Sequence, residues 1–478
     1  MKTALSRKNL WAALPRRLKA TLGRPLAAIP LPWLLGRAFR RWYHFVAASQ
    51  WWDAERLRRY QLTKLRKVVG LAYERSRYYR ESFKGVGFEP GDLKDLSDLS
   101  GLPTIDKHIV RERLNDMLTT PPDSRHVDYM STSGTGGTPL GFYIDRDRSA
   151  VEFAHLSQSW MRVGYVPGAT TAVLRGNVVG RDRAGRFRDY DPLLRQYIYS
   201  SFHLSPEHMV QYVEHMRTVR PKFLQAYPSS AHTLARFMLS QGLQLPDTVI
   251  AILLGSEPVY PHQRQFMAEN LRARLYSWYG HTEKLVLAAE CEYSTAYHVW
   301  PTYGYFELLD SHGREVERGD HGEIVGTGFI NRAVPFIRYR TDDFAVRVAD
   351  RCELCRRNHV LIDRMRAHRS QEFLITRDRR AIVAWTALNM HDDTFDGIMQ
   401  FQFVQTVPGE AELLVVPTAG EVRYNLDRID KHLRAKLKGQ VVVKVRLADR
   451  IEHSPSGKKP LIRQHVTDID HLVTVFEA

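Results

Sequence analysis

The spacing of apolar residues predicts helices and strands that alternate over most of the chain. Between residues 51 and 118 apolar positions recur every three or four residues, which predicts helices, and Lys107 is predicted as a solvated lysine in a first helical turn. From Arg148 onward, helical patterns alternate with short apolar runs that predict buried strands. In order, these are a helix from Arg148, strand 169–174, helix 206–219, strand 223–227, helix 229–241, strand 249–254, a helix ending at 273 and strand 275–278. Strands separated by helices predict an α/β fold with a parallel or mixed sheet flanked by helices.

The C-terminal part of the chain has a different pattern. Two alternating runs, 400–405 and 411–416, surround Pro408-Gly409 and predict a hairpin. The amphipathic helix 426–437 and strand 441–447 follow, so we expect a small α+β domain, ferredoxin-like in topology. Since 478 residues exceed one ordinary core, the chain is divided into an N-terminal arm (1–50), a large domain (51–363) and a small domain (364–478).

The formal charge of +16 is concentrated at the N-terminus. Before Asp53 there is no acidic residue, whereas Lys and Arg alternate with Trp, Phe and Leu. This composition suits an anionic membrane surface, contacted through residues 1–45, and equally suits an arm packed on its own protein. No nucleic-acid-binding motif accompanies the charge, so we expect no nucleic-acid partner. The prolines at 15, 25, 30 and 32 exclude one long helix.

Other features of composition point to the cytoplasm. No apolar run of about 18 residues predicts a spanning helix, and no secretory signal is recognisable. Three cysteines in a long chain fit a reducing compartment. We therefore expect a cytoplasmic protein, with peripheral contact at the inner face of the membrane as an alternative.

A polar, glycine-rich stretch precedes the run Leu140, Phe142, Ile144. It consists of Ser131, Thr132, Ser133, Gly134, Thr135, Gly136, Gly137, Thr138 and Pro139. Glycines allow close backbone approach, and hydroxyls beside free N–H groups make a donor surface for phosphate. Neither the Walker pattern nor the dinucleotide fingerprint fits. Taken alone, the stretch is either a phosphate-binding loop or a surface turn.

Two further polar clusters follow predicted strands. Gly255-Ser256-Glu257 comes after strand 249–254, and Tyr279-Gly280-His281-Thr282-Glu283 comes after strand 275–278. Ligands of α/β sheets bind beyond the carboxyl ends of the strands. We therefore expect both clusters at one ligand site.

With this loop and the Tyr-Gly-x-Thr-Glu cluster, the chain resembles the adenylate-forming superfamily of acyl-CoA synthetases. Four more motifs match in the expected order: Gly322–Gly328, Arg338–Asp343 with Asp342 in place of a glycine, Asp363-Arg364 before the interdomain hinge, and Ser456-Gly457-Lys458. Within the superfamily the chain most resembles the branch of phenylacetate-CoA ligases and coenzyme F420-adenylating synthetases. Within that branch it resembles in particular the CapK-like proteins associated with capsular polysaccharide genes.

The resemblance implies ATP-dependent activation of a carboxylic acid, with an acyl-adenylate and pyrophosphate as products, followed by transfer to CoA or another thiol. It implies that the Thr135 loop holds the β- and γ-phosphates, that Glu283 binds Mg²⁺ and that Lys458 bridges the carboxylate and the α-phosphate. Thr282 would contact the α-phosphate, Asp343 the ribose, and Gly255, Ser256 and Glu257 the adenine. The implied nucleotide site also includes Tyr279, Gly280, His281 and Arg364. The small domain would rotate between the half-reactions and withdraw Lys458.

Two departures leave other functions open. Asp342 adds a negative charge beside the ribose carboxylate, and the hinge region 364–372 is longer than usual, with Glu372 as the best candidate hinge acid. An adenylyltransferase that moves AMP onto a small molecule is one alternative, and a non-catalytic, membrane-associated paralogue is another. Aromatic residues at the sheet edge are candidates for lining the pocket of the acid: Tyr227, Phe202, His203 and Trp278.

The three cysteines predict a metal site of their own. Cys352-x-x-Cys355 has the spacing of a metal knuckle, and Cys291 and His298 lie upstream. Three thiolates and one imidazole are a common ligand set for structural zinc. Three reduced, partly buried thiols are the alternative.

Overall fold

A computed structural model describes residues 18, 25, 28–131, 140–177, 179, 187–367, 373–383, 398–417, 424–452 and 460–467. The α-helices are α1 (Leu31–Leu34), α2 (Gly36–Ser49), α3 (Ala54–Arg75), α4 (Arg77–Gly85), α5 (Lys107–Met117), α6 (Arg148–Met161), α7 (Pro206–Val219), α8 (Pro228–Ser240), α9 (Pro261–Leu271) and α10 (Leu426–Leu437). The strands are β1 (Val127–Ser131), β2 (Gly141–Asp145), β3 (Thr171–Leu174), β4 (Arg188–Asp191), β5 (Gln196–Tyr199), β6 (Phe223–Ala226), β7 (Ala251–Gly255), β8 (Arg274–Gly280), β9 (Leu287–Ala289), β10 (Tyr297–Val299), β11 (Gly304–Leu309), β12 (His321–Gly328), β13 (Tyr339–Ala349), β14 (Leu361–Ala367), β15 (Phe373–Ile375), β16 (Ala381–Val383), β17 (Ile398–Val407), β18 (Glu410–Pro417), β19 (Val442–Leu447) and β20 (Ile462–Gln464). None of the helices within these ranges combines the length and apolarity that crossing a bilayer requires.

One large mixed sheet organises the first part of the chain, as predicted. Its strand order is β11-β12-β13-β14-β10-β9-β8-β7-β6-β3-β5-β4. The neighbours β8, β7, β6, β3 and β5 run parallel, so their carboxyl ends share one edge. The predicted helix 206–219 coincides with α7, and the predicted strands overlap β3, β6, β7 and β8. The pair β4 and β5 was not predicted, because β4 is polar and largely exposed and so carries no apolar run.

The small α+β domain is also confirmed. Strands β17 and β18 form the predicted antiparallel hairpin in a four-stranded sheet of order β19-β18-β17-β20. Helix α10 coincides with the predicted helix and buries Ile429 and Leu433 against Phe403 and Leu413 of the sheet. Met399 and Val416 instead contact the core that surrounds α7 and α8, so the small domain packs on the large one.

Part of the N-terminal arm belongs to the core of the large domain. Helix α2 buries Phe39 and Val46 against Val151 and Ala154 of α6. The arm between residues 36 and 49 is therefore anchored by apolar packing. At the other end of the large domain, β14 continues to Ala367, beyond the predicted boundary at residue 363.

Candidate active site

Two motifs that are distant in sequence meet at the edge of the large sheet. Tyr279, at the end of β8, donates a hydrogen bond of 2.8 Å to Asp343 Oδ2. Tyr339 in β13 donates one of 3.3 Å to Glu283 Oε1. In the sheet order, β8 and β13 have three strands between them and so are four strand spacings apart. A flat sheet would hold them about 19 Å apart, at about 4.8 Å per spacing. The sheet therefore curls, and the curl brings together the carboxylates that the sequence assigns to Mg²⁺ and ribose.

Glu283 is buried and supported by defined donors. Its Oε2 lies 3.1 Å from His281 Nδ1. His281 Nε2 accepts the Val286 N–H at 3.1 Å, so the imidazole is a neutral tautomer whose Nδ1–H donates to the glutamate. Burial would raise the pKa of Glu283, but the hydrogen bonds from His281 and Tyr339 outweigh it and hold the pKa below its ordinary value. Glu283 is therefore a carboxylate at neutral pH, as a magnesium ligand must be.

A buried ion pair fixes the start of β13. Arg338 contacts Glu307 through two nitrogens, with Nη2 2.8 Å from Oε1, and both side chains are buried. Arg338 Nη1 also donates to the Ser100 carbonyl at 2.8 Å. A buried charge is stable only when it is paired and hydrogen-bonded, and here both conditions are met. The first residue of the Arg338–Asp343 motif thus anchors the strand that carries the site.

Neighbouring motif residues hold the turn before Asp343. Thr341 Oγ1 donates to the Ile324 carbonyl at 2.7 Å and accepts the Asp343 N–H at 3.2 Å. Glu323 Oε1 accepts the Asp342 N–H at 3.1 Å, and the same carboxylate pairs with Arg340. The Gly-Glu motif of β12 therefore positions the backbone that presents Asp343.

Asp342 occupies a backbone conformation that favours glycine. Its φ is 58°, in the left-handed region. Its carboxylate is paired, because Lys107 Nζ lies 3.2 Å from Oδ2. The Lys107 side chain is only 26% exposed, so the prediction of a solvated lysine was wrong. The error arose because Ile105 pairs with Tyr339 across the two segments and brings the first turn of α5 to the site, a contact that no local pattern reveals.

The cluster after β7 is confirmed at the same edge of the sheet. A Cβ atom at Gly255 would lie 2.5 Å from the Trp278 ring, so no side chain fits there. The Glu257 carboxylate accepts the Ser229 N–H at 3.0 Å and the Ser229 hydroxyl at 3.1 Å, at the start of α8. Ser256 Oγ lies 2.5 Å from Arg175 Nη2. Sequence reasoning missed Arg175, since a lone arginine after a strand carries no recognisable signal.

Several predicted site residues lie outside the described part of the chain. Ser131 ends β1, but residues 132–139 of the loop are not described. The Arg364 side chain, Glu372 and the 453–459 segment with Lys458 are likewise outside it. Gly280 ends β8, and Thr282 follows it in the turn to Glu283. The assigned roles of all these residues remain predictions.

The three cysteines and His298 converge in a second site. One ligand atom from each of Cys291, His298, Cys352 and Cys355 lies within 4.8 Å of all the others, and all four residues are buried. His298 Nδ1 lies 3.0 Å from the Ala296 carbonyl, which can only accept, so Nδ1 carries the proton. The unprotonated Nε2 then faces Cys355 Sγ at 3.2 Å. A carbonyl that fixes the tautomer in this way is typical of metal-binding histidines.

Hydrogen bonds also surround the sulfur atoms of Cys291 and Cys355. Cys291 Sγ accepts the N–H groups of Tyr293 at 3.3 Å and Ser294 at 3.2 Å. The hydrogen bond between Cys291 and Cys355 lowers the pKa of the Cys355 thiol and raises the pKa of the Cys291 thiol, so the negative charge of this pair lies on Cys355. The chemistry of this donor set fits Zn²⁺, whose Zn–S bonds of about 2.3 Å separate tetrahedral sulfurs by about 3.8 Å.

Comparison with known proteins identifies relatives of the chain. No protein-family model matches it. Over 304 residues it is 27% identical to the phenylacetate-coenzyme A ligase of Aromatoleum evansii, a match that covers 60% of this chain and 66% of that enzyme. The phenylacetate-coenzyme A ligase of Thermus thermophilus is 25% identical over 64% of this chain and 69% of its own. Protein CapK of Staphylococcus aureus is 20% identical over 80% of this chain and 84% of its own.

Solved structures share the fold. A 2-hydroxyisobutyryl-CoA ligase in the postadenylation state aligns with a TM-score of 0.66 and 20% identity, over 88% of this chain and 92% of that one. The open conformation of that ligase, in complex with an acyl-AMP and CoA, aligns with a TM-score of 0.53. In sequence the chain is therefore similar to phenylacetate-CoA ligases and CapK, and it has the fold of the solved acyl-CoA ligase.

Proposed function

We propose that the protein activates a carboxylic acid with ATP to an acyl-adenylate, releases pyrophosphate and passes the acyl group to CoA. The observation that carries the proposal is the meeting of Glu283 and Asp343, each held by a tyrosine of the other motif. A scaffold that had lost catalysis would have no need to hold both carboxylates at one edge of the sheet. The CoA-ligase relatives support the same reaction.

Each residue of the site would interact with a different charged or polar group of the nucleotide and its metal ion. When bound, Mg²⁺ neutralises phosphate oxygens, and Glu283 would hold it. Asp343 would accept hydrogen bonds from the ribose hydroxyls, and the Ser131–Thr138 loop would bind the β- and γ-phosphates. Thr282 would contact the α-phosphate, where charge develops as the acid attacks. These roles follow the resemblance, and the proximity of Glu283 and Asp343 makes them compatible with one nucleotide.

ATP–pyrophosphate exchange driven by a panel of carboxylic acids tests the proposal. Glu283→Gln should lower exchange by about 10²–10³, since it removes a charge needed for a preorganised electrostatic contact. Glu353→Gln, an exposed glutamate paired with Arg351, is the matched control and should leave exchange unchanged. Exchange that survives Glu283→Gln would contradict the assigned site. Radiolabelled AMP retained in a stable product would instead favour the adenylyltransferase.

We propose that the cluster of Cys291, His298, Cys352 and Cys355 binds structural zinc. Four protein ligands would fill a tetrahedral site and leave no position for substrate, which is the arrangement of structural rather than catalytic zinc. The convergence of four buried ligand atoms supports this function.

We propose a membrane contact for the first part of the basic arm. Trp33 is 63% exposed, and Arg40 lies over its ring with Cζ 3.9 Å from the centroid. Aromatic and basic groups exposed together suit an anionic interface. A role in cell-envelope polysaccharide synthesis remains a prediction.

A further inference from the structure

Arg175 lies among the carboxyl ends of four adjacent strands. It follows β3 directly, Tyr227 and Ser256 follow β6 and β7, and Trp278 lies in β8 two residues before its end. The guanidinium carbon lies 5.4 Å from the centre of the Tyr227 ring and 5.3 Å from that of Trp278. Two aromatic rings therefore flank the cation, and a guanidinium favours such faces. The arrangement combines apolar walls with one charged group, as small-molecule pockets do.

Among the residues that the structure describes, no carboxylate forms an ion pair with Arg175. Within the described ranges its polar side-chain contact is with the neutral hydroxyl of Ser256. The carboxylates of Glu257 and Glu152 act on Arg175 by charge, and both also contact other groups. Glu257 binds Ser229 at the start of α8, and Glu152 Oε1 lies 2.5 Å from Lys284 Nζ. Burial accordingly lowers the pKa of Arg175, although Tyr227 and Glu257 oppose the shift.

A half-buried cation that lacks a direct counter-ion is unfavourable, and an anionic ligand would reduce the penalty. The nucleotide phosphates do not suit this role. By the resemblance they lie at Glu283 and the Ser131–Thr138 loop, whereas Arg175 contacts Ser256, which is assigned to the adenine. The remaining ligand of the proposed reaction is the acid, whose reacting carboxylate must face the α-phosphate. Arg175 would then meet the opposite end of the acid.

We infer that Arg175 binds a second anionic group on the acid, so that the substrate is a dicarboxylic acid or a comparable dianion whose middle part packs between Tyr227 and Trp278. This inference rests on the proposed function. Arginine suits the task because its planar fork donates two parallel hydrogen bonds to a carboxylate. Arg175 is thus a specificity-determining residue for the acid, with no part in the bond-making step.

The experiment compares acids that differ only in the second charge: glutarate with valerate, and isophthalate with 3-methylbenzoate. In ATP–pyrophosphate exchange, the kcat/KM of the wild-type protein should be about 10²-fold or more higher for one of the two diacids than for the matching monoacid. A site built for a polar group rejects analogues that lack it. Arg175→Met should abolish the preference through the KM of the diacid and change the KM for ATP less than twofold. Arg175→Lys should keep part of the preference for the diacid. Arg217→Met, on the exposed face of α7, is the matched control and should keep all of it.

Binding distinguishes failure of this inference from failure of the proposed function. Calorimetry with a non-hydrolysable ATP analogue present should measure binding of the diacid to the wild-type protein, even if no acid supports exchange. Binding of the diacid to Arg175→Met should be at least tenfold weaker. That result with no exchange would overturn the proposed reaction and keep the anion site. Equal binding of both acids, equal exchange with both, or a similar rise in the KM for ATP with every acid would overturn the role of Arg175.

Discussion

The left-handed backbone of Asp342 explains why its position in the motif usually carries glycine, and what an aspartate requires there. Aspartate tolerates a positive φ better than most residues, so the strain is modest. The larger problem is charge, because a second carboxylate beside Asp343 would repel the phosphates of a nucleotide. The ammonium group of Lys107, 3.2 Å from Asp342 Oδ2, offsets this added negative charge. The aspartate is therefore compatible with an active nucleotide site.

Removing Lys107 should weaken nucleotide binding, and removing Asp342 as well should restore it. We expect Lys107→Ala to raise the KM for ATP about five- to tenfold, since about 1 kcal/mol is typical of a partly exposed charge pair. In the double variant with Asp342→Gly, the uncompensated charge is gone and the KM should return to within about twofold of wild type. Lys84→Ala, at an exposed lysine of α4, is the control. Equal losses in the single and double variants would mean that Lys107 contacts the nucleotide directly or acts elsewhere.

Single residues differ in how far sequence could predict them. Glu283 and Asp343 were predictable because each belongs to a motif whose order along the chain is itself informative. Lys107 and Arg175 were not, because their function depends on contacts between segments that are far apart in sequence. Glu257 shows a third case: the motif placed it correctly, but the Ser229 contacts that engage it were visible only in three dimensions.

At the scale of elements, the cysteine cluster joins the loop after β9, strand β10 and the connection between β13 and β14. Purified protein should contain about one zinc per chain, and chelation should lower its thermal midpoint, because metal binding to a structural site is coupled to folding. His298→Asn should reduce zinc content and stability, whereas His312→Asn at an exposed turn should change neither. Native protein without zinc, whose three thiols all titrate freely, would contradict the site.

Helix α6 carries a buried histidine that should make stability depend on pH. His155 is fully buried, with Nδ1 2.9 Å from the Val151 carbonyl and Nε2 3.1 Å from Thr302 Oγ1. Burial lowers its pKa to about 4, while the bond to Val151 partly opposes the shift. The unfolded chain binds the proton of this histidine more tightly than the folded chain does. The contribution of neutral His155 to the free energy of unfolding is therefore complete above about pH 6.5 and is lost as pH falls towards 4.

The expected loss is at most about 3 kcal/mol, from about 1.4 kcal/mol per pKa unit. Denaturant unfolding between pH 4 and 7 should therefore show a smaller pH dependence for His155→Gln than for wild type, whatever the absolute stability of the variant. His108→Gln, at an exposed position of α5, should keep the wild-type dependence. Parallel pH profiles for wild type and His155→Gln would mean that His155 does not contribute.

At the scale of the whole molecule, the periodicity of the chain predicted the layers of the fold but not how they curve. The parallel strands were predictable because each is a short apolar run bounded by helices. The curl of the sheet that joins Tyr279 to Asp343 was not, since it depends on the pairing of β9, β10 and β14, which are short or irregular. Resemblance supplied this part of the site, because the order of motifs carries the three-dimensional arrangement with it.

The arm should separate into a membrane-binding part and a structural part. Deleting residues 1–28 together with Trp33→Ala should abolish sedimentation with anionic liposomes at low salt and leave exchange intact, since the buried residues of α2 remain. Binding by the wild type should weaken as salt rises, because exposed charges are screened beyond about 8–10 Å. Phe39→Ala should instead destabilise the fold by about 3–5 kcal/mol, because that side chain is only 1% exposed. Unchanged sedimentation after the deletion would leave the arm without a membrane role.

Lys458 tests whether the two domains act together in catalysis. The segment that carries it follows Ile451, which is buried with the apolar residues around α7 and α8, so this part of the small domain is anchored on the large one. The lysine should matter while charge accumulates between the acid and the α-phosphate, and no longer after the small domain has rotated. Lys458→Ala should therefore lower adenylate formation by about 10²–10³ and leave thioester formation from pre-made acyl-adenylate nearly unchanged.

Lys459→Ala is the internal control, since it removes the same charge from the adjacent position and should have little effect. ATP affinity should also persist in Lys458→Ala, because the Ser131–Thr138 loop and Asp343 would hold the nucleotide. Equal losses in both variants would mean that general positive charge matters, rather than one directed ammonium group. Full activity in Lys458→Ala would show that the C-terminal motif is fortuitous. The small domain would then have to promote adenylation through another residue, or adenylation would occur entirely within the large domain.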